Sequence, residues 1–313
     1  MSRKRAGGPR PCVIFIVGPT SSGKSAVAAG VAERVNGEVI SCDSMQVYKG
    51  MDVITRPPSE GLPARVRHHL VKTLSPSEEF SAARFVEEAG RIIDDIIARG
   101  KMPVVTGGTG LYMKSLIDGL FSSPPADEEF RESMRKTVEE RGGEYLYAKL
   151  KQVDPETAAR LHPNDTRRII RALEVYHLTG ETIRAKKSLS RGISEKYDCR
   201  IFGLDMPRKA LYARINGNVE KMFSEGITDE VRRLLDSGLS LTAGKALGIK
   251  EVKAFLDGGC TLEEAKEELK KNTRRYAKRQ LTWFRADNRV TWLNADREAG
   301  EIAEEIAARC DKL

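Results

Sequence analysis

Several things are missing from this 313-residue sequence, and each absence narrows what it can be. No apolar run approaches the roughly 18 residues that a membrane span needs, so no membrane association is expected. The basic stretch from Ser2 to Pro11 is not followed by a signal-peptide apolar region and cleavage site, and reads as a frayed tail. Five cysteines (Cys12, Cys42, Cys199, Cys260 and Cys310) are scattered without a C-x-x-C pair. That odd, dispersed set argues against a disulfide framework or a zinc site and points to a reducing cytoplasm. His68 and His69 lack any accompanying metal-ligand pattern and are read as structural. There is no internal repeat and no low-complexity block. Hydrophobic residues make up 40% and charged residues 31%, as in a globular protein long enough for one large domain or a core with an insertion. The net charge of +8 and pI near 9.2 are compatible with a polyanionic partner without requiring one.

The most informative stretch follows the apolar run Val13 to Val17. It reads Gly18, Pro19, Thr20, Ser21, Ser22, Gly23, Lys24, Ser25, and a segment of helical character comes next. Strand, glycine loop and helix in that order are the context of a phosphate-binding loop. The glycines let the backbone curl so that its N–H groups point inward, and the following helix aims its positive end at the same spot. Lys24 adds a mobile charge, and the Ser25 hydroxyl can ligate Mg²⁺. The motif predicts a bound di- or triphosphate without naming the reaction.

The segment Glu38 to Ser44 reads as a second strand with Asp43 at its C-terminal end. Ligands of open parallel sheets bind outside those ends, so Asp43 is expected to face the phosphate site; a turn-capping role is the competing expectation. A third strand is expected over 68–74. Apolar spacing predicts a helix over 81–99, stopped by Gly100. A buried strand then runs from Lys101 into Gly107, Gly108, Thr109 and Gly110. Hydrolytic phosphate-loop enzymes commonly end this strand with an Asp that holds Mg²⁺, and none is present here. A motor or switch ATPase is disfavoured, and Thr109 is placed to hydrogen-bond a phosphate or substrate.

From 122 to 196 the character changes to polar helices after Pro124 and Pro125, which predicts a helical insertion into a core of 1–121 and 197–313. Asn164 or Asp165 can cap a helix whose first turns carry Arg167, Arg168 and Arg171. Cations there oppose the helix dipole, so either a bound polyanion or a solvated face accounts for them. Strand character returns at 199–205, followed by helices near 211–223, 229–235 and 250–256. A long helix is expected from Leu262 to Arg285, with basic rows (Lys270, Lys271, Arg274, Arg275, Lys278, Arg279) on one half. Tyr276, Gln280, Trp283 and Phe284 fall on the other. A last strand at 289–294 and a terminal helix complete an α/β reading: a parallel sheet of the P-loop NTPase kind, flanked by helices.

In order, the phosphate loop, Asp43-Ser44, Tyr48 to Asp52, Gly107 to Tyr112, His162 to Asp165 with Arg167 to Val175, and Tyr276 to Arg285 resemble the tRNA dimethylallyltransferase family. The likeness runs in register from about 12 to 293. It implies transfer of a dimethylallyl group from dimethylallyl diphosphate to N6 of adenosine 37, beside the anticodon, in tRNAs reading codons that begin with U. It further implies a diphosphate held by Gly18 to Ser25 with Mg²⁺, Asp43 as general base, and Thr109 near the reaction centre. Asp43, Ser44, Met45, Gln46, Thr109, Arg131, Arg167, Arg168, Ile169, Ile170 and Arg171 would contact the tRNA anticodon stem-loop. The target base would have to leave its stack. A monomer is expected. An isopentenyltransferase acting on free adenine nucleotides and a P-loop small-molecule kinase are the alternatives; the long insertion speaks against the first. Three stretches depart from the family pattern: Asp52 to Pro58, Asn218 where an arginine is common, and Leu247 to Glu251.

Overall fold

A computed structural model describes residues 10–57, 66–120, 127–188 and 190–310. The N-terminal tail through residue 9 and the Pro124-Pro125 break lie outside the described residues. Among those described, the chain forms two compact units: Met1–Ile117 with Ile193–Leu313, and Asp118–Gly192.

The first unit is built on six parallel strands: β1 (Cys12–Val17), β2 (Gly37–Ser41), β3 (His68–His69), β4 (Met102–Gly107), β5 (Asp198–Asp205) and β6 (Val290–Asn294). Their order is β3-β2-β4-β1-β5-β6. β1 is central and wholly buried, pairing Ile14 with Val104 of β4 on one side and Arg200 of β5 on the other. Its run of five apolar residues after Cys12 is what a strand covered on both faces requires. Alternate side chains feed two cores: Val13, Phe15 and Val17 pack on one face, and Cys12, Ile14 and Ile16 on the other. The first core is covered chiefly by helices Ala82–Ala98, Gly110–Asp118, Ile227–Ser237 and Ile249–Leu256. The second is covered by helices Lys24–Arg34 and Ala299–Cys310.

The third strand is shorter than its apolar pattern suggests. Leu70 and Lys72 adopt left-handed backbone angles, φ 58° and 51°, which bend the chain out of the sheet after His69. The long helix spans Leu262–Arg285 with a Thr261–Glu264 capping box. Its faces are not uniform. Lys270 and Arg274 are not solvated: Lys270 is paired with Glu220, and Arg274 donates to Asn216. Trp283 is 39% exposed rather than buried.

The second unit is helical. Helices Glu128–Arg141, Gly143–Val153 and Thr166–Thr179 enclose a core of Leu146, Leu150, Ile169, Ile170 and Leu173. Asp165 caps Thr166–Thr179 through its side chain, as its position suggested.

Candidate active site

The C-terminal ends of β1, β2 and β4 open onto a cavity of about 650 Å³ within the first unit. Thr20, Ser21, Gly23, Lys24 and Ser25 line one end. Gly23 takes φ 87°, the left-handed region that costs glycine least, and is the N-cap of Lys24–Arg34 without a side-chain cap. The first N–H groups of that helix are therefore left for an anion. Desolvation pushes the Lys24 ammonium down to about 8, with nearby Asp43 pulling the other way. In the free site it donates to the Pro19 carbonyl at 2.6 Å. Gly18, Pro19 and Ser22 shape the loop without lining the cavity, and the buried Ser22 hydroxyl has no hydrogen-bond partner among the described residues.

Asp43, Ser44, Met45 and Gln46 form the neighbouring wall. Asp43 combines a turn cap with a place in the cavity wall. Its Oδ1 accepts the N–H of Met45 at 2.9 Å and of Gln46 at 3.4 Å, capping the turn. Its Oδ2 carries no hydrogen bond among the described residues, and the residue faces the cavity. Thr109 stands one step back, outside the lining. Its Oγ1 accepts the Ser44 N–H at 3.1 Å, and it lies beside the Tyr276 hydroxyl, whose pKa is raised by burial and then by Asp43.

The opposite wall is apolar: Ile215, Val219, Met222, Leu247 and Leu269. Arg214, Asn218, Tyr276, Arg279 and Gln280 also line it, as do Arg56 and Lys245; none was named a site residue from sequence, and Asn218 stood out only as a departure from the family pattern. Asn218 Nδ2 donates to Ser21 Oγ at 2.9 Å, so it braces the loop rather than presenting a charge. Arg214 and Asn218 share a helix face at i, i+4 spacing, a signal that was available. Gln280 was legible only as a polar residue on an inward helix face.

In the insertion, Glu174 is fully buried and gathers Arg131, Arg171 and the Asp127 N–H. Burial would raise its pKa, but the hydrogen bonds from Arg171 and Arg131 outweigh that and lower it. Arg131 and Arg171 thus hold the insertion together. Ile169 and Ile170 are core residues, so contact through their side chains is corrected: burial removes them from any surface. Arg167 and Arg168 are exposed, with Arg168 paired to Asp165.

A phosphate loop, an apolar wall and a carboxylate around one cavity define a P-loop-type group-transfer enzyme, in which the phosphate can be a leaving group. Comparison with known proteins gives the particular family. The family model described as IPP transferase matches residues 46–287. A Geobacter sulfurreducens protein named tRNA dimethylallyltransferase is 49% identical over 91% of this chain and 93% of its own. The tRNA isopentenylpyrophosphate transferase of Bacillus halodurans has a structure with TM-score 0.72 and 42% identity, covering 96% of both chains. A eukaryotic dimethylallyltransferase acting on tRNA gives TM-score 0.77 at 30% identity over 91% of this chain and 74% of that one. The chain belongs to the IPP transferase family, and it is a transferase with the P-loop NTPase-like fold.

Proposed function

We propose that the protein transfers the dimethylallyl group of dimethylallyl diphosphate to N6 of adenosine 37 in tRNAs reading codons that begin with U. The observation that carries this reading is the bipolar cavity. Loop amides and Lys24 suit a diphosphate, and the wall of Ile215, Val219, Met222 and Leu269 suits a short branched hydrocarbon. Asp43, at the edge between them, suits an incoming amine.

The bond between the allylic carbon and the diphosphate oxygen breaks as N6 bonds to that carbon. An exocyclic adenine amine is a poor nucleophile, because its lone pair is delocalised into the ring. Its N–H becomes acidic as the new bond forms, and Asp43 takes the proton. The departing diphosphate keeps its charge on the loop amides and Lys24. Thr109, tied to Ser44, keeps the Asp43 turn in register. Mg²⁺ fits this donor set. Ser25 and Asp43, both in the cavity lining, would hold it, and no group of three or more His, Cys, Asp or Glu side chains forms a cage among the described residues. An ion held mostly by diphosphate oxygens and water needs no such cage, and when bound it would neutralise leaving-group charge.

The exposed Arg167 and Arg168 of the insertion would meet the anticodon stem-loop, and the target base would leave its stack to enter the cavity. No helix among the described residues is long and apolar enough to cross a membrane; a cytoplasmic monomer is part of the proposal. Mass spectrometry of tRNA nucleosides after incubation with dimethylallyl diphosphate tests it. The expected product is N6-dimethylallyladenosine at position 37; product from free adenine nucleotides alone, or phosphorylation by ATP, would replace this reading.

A further inference from the structure

Gln280 occupies a buried position on the inner face of the long helix. A buried amide must find partners for both its oxygen and its nitrogen. Here the two partners belong to two different loops. Oε1 accepts the N–H of Thr20, in the phosphate loop, at 2.8 Å. Nε2 donates to the carbonyl of Gly108, in the turn after β4, at 3.0 Å. The orientation of the amide follows from its partners, since reversing it would set N–H against N–H and oxygen against oxygen. A side chain at Gly108 would displace the amide: a Cβ would lie 2.0 Å from Nε2.

Three residues further on, Trp283 lies against Gly110, where a Cβ would come within 2.2 Å of the indole. The long helix therefore holds the turn at two points, and Thr109 sits between them. Thr109 in turn holds Ser44, the neighbour of Asp43. Neither bond of Gln280 closes a helix or a strand ladder; together they fix one loop against the other.

We propose that Gln280 is a positioning residue for prenyl transfer, fixing the donor-binding loop to the turn that supports Asp43. The inference rests on the function proposed above. Transfer needs the reacting atoms about 3–3.5 Å apart, and a displacement of about 1 Å can cost 10²-fold in rate. A tie between the two loops controls that distance by holding the donor loop and the Asp43 turn in register.

The test compares the parent with Gln280→Glu and Gln280→Leu in single-turnover transfer at saturating substrates. An ionised Glu can accept from Thr20 but cannot donate to Gly108; a protonated Glu can do both. Gln280→Glu is expected to be roughly 10²-fold slower than the parent at pH 8. Its rate relative to the parent should recover as the pH falls towards 5.5. Gln280→Leu should be similarly slow without recovery. Lys24, Asp43, Arg214, Lys245, Tyr276 and Arg279 line the same cavity in parent and variants, so the rate is read as a ratio to the parent at each pH, with Gln280→Leu as the uncharged control. A Gln280→Glu protein that matches the parent at pH 8, or whose ratio is flat with pH, overturns the inference. Should the parent itself not transfer, the proposed function fails separately, and calorimetry with inorganic diphosphate still decides the tie. Gln280→Leu should then bind diphosphate about tenfold more weakly, a shift of roughly 1.4 kcal/mol, and unchanged affinity overturns it. If Gln280→Leu does not fold, the Glu variant's pH ratio decides alone.

Discussion

The core unit and the helical insertion each hold cations beside a carboxylate, and they set them to different work. In the core, Lys24 and Asp43 share a cavity, and desolvation makes the lysine a weaker base. Among the described residues neither forms an ion pair, which leaves both open to a ligand. In the insertion, Arg131 and Arg171 surround Glu174, which is 0% exposed. There the guanidiniums are engaged with a buried carboxylate of the same unit. The same helix that contributes Arg171 also carries Arg167 and Arg168 on its exposed side. A cation's neighbours, more than its place in a motif, decide whether it serves the fold or a substrate.

The sharpest way to break this contrast is Asp43→Asn. Asn preserves shape and one carbonyl acceptor for the Met45 turn but cannot take a proton. A loss on the order of 10² to 10⁴ in single-turnover transfer is expected, the usual scale for a general base. Donor and tRNA affinities should change little. A variant within a few-fold of the parent would reduce Asp43 to its turn-capping role.

Glu174→Gln tests the other side. It removes the charge that Arg131 and Arg171 share while keeping an acceptor for the Asp127 N–H. A destabilisation of about 1–3 kcal/mol is expected, read as faster amide hydrogen exchange across the insertion. The pH dependence has a definite sign. The folded pKa of Glu174 is depressed, so its stabilisation is fully present above the ordinary unfolded-state value and lost as pH falls through the folded one. Unchanged exchange protection in Glu174→Gln would mean that Arg131 and Arg171 are available to RNA after all.

The core was easier to read from sequence than the insertion, for a physical reason. A phosphate loop is written in consecutive residues, because its backbone curl needs glycine at fixed steps and a strand and helix at its ends. Asp43 was legible because a strand end in a parallel sheet points at the ligand. The clasp of Arg131 and Arg171 on Glu174 joins residues 43 and 3 positions apart, and no local pattern encodes its burial. Gln280 reaches across 260 and 172 positions. The third strand was over-read because apolar residues at Leu70, Val71 and Leu74 serve a bend as well as a strand.

A smaller effect separates the exposed arginines from the buried ones. Replacing Arg167 and Arg168 by Ala should lower the slope of log affinity for tRNA against log salt by about 0.7 to 0.9 for each phosphate no longer neutralised. Stability should be nearly unchanged for Arg167→Ala. An unchanged salt slope in the double variant would show that this face is merely solvated.

The smallest expected effect concerns Lys24 and comes from its depressed pKa of about 8. Below that value the ammonium is charged in the free protein and can meet a diphosphate directly. Above it, binding must first take up a proton, because the bound anion restores the charged form. Affinity then follows the protonated fraction, and should fall about threefold between pH 7.5 and 8.5. The sign for folding is opposite. A lysine whose folded pKa lies below its unfolded one makes the folded state more stable as pH rises from about 8 towards the unfolded value. Weaker donor binding in this window is thus not a symptom of unfolding. Lys24→Arg supplies the control, since a guanidinium stays charged throughout. Its donor affinity, whatever the absolute value, should be flat over the same range by calorimetry. A parent whose affinity is also flat, or an arginine variant that falls in parallel, would place the titration on another group and leave Lys24 permanently charged.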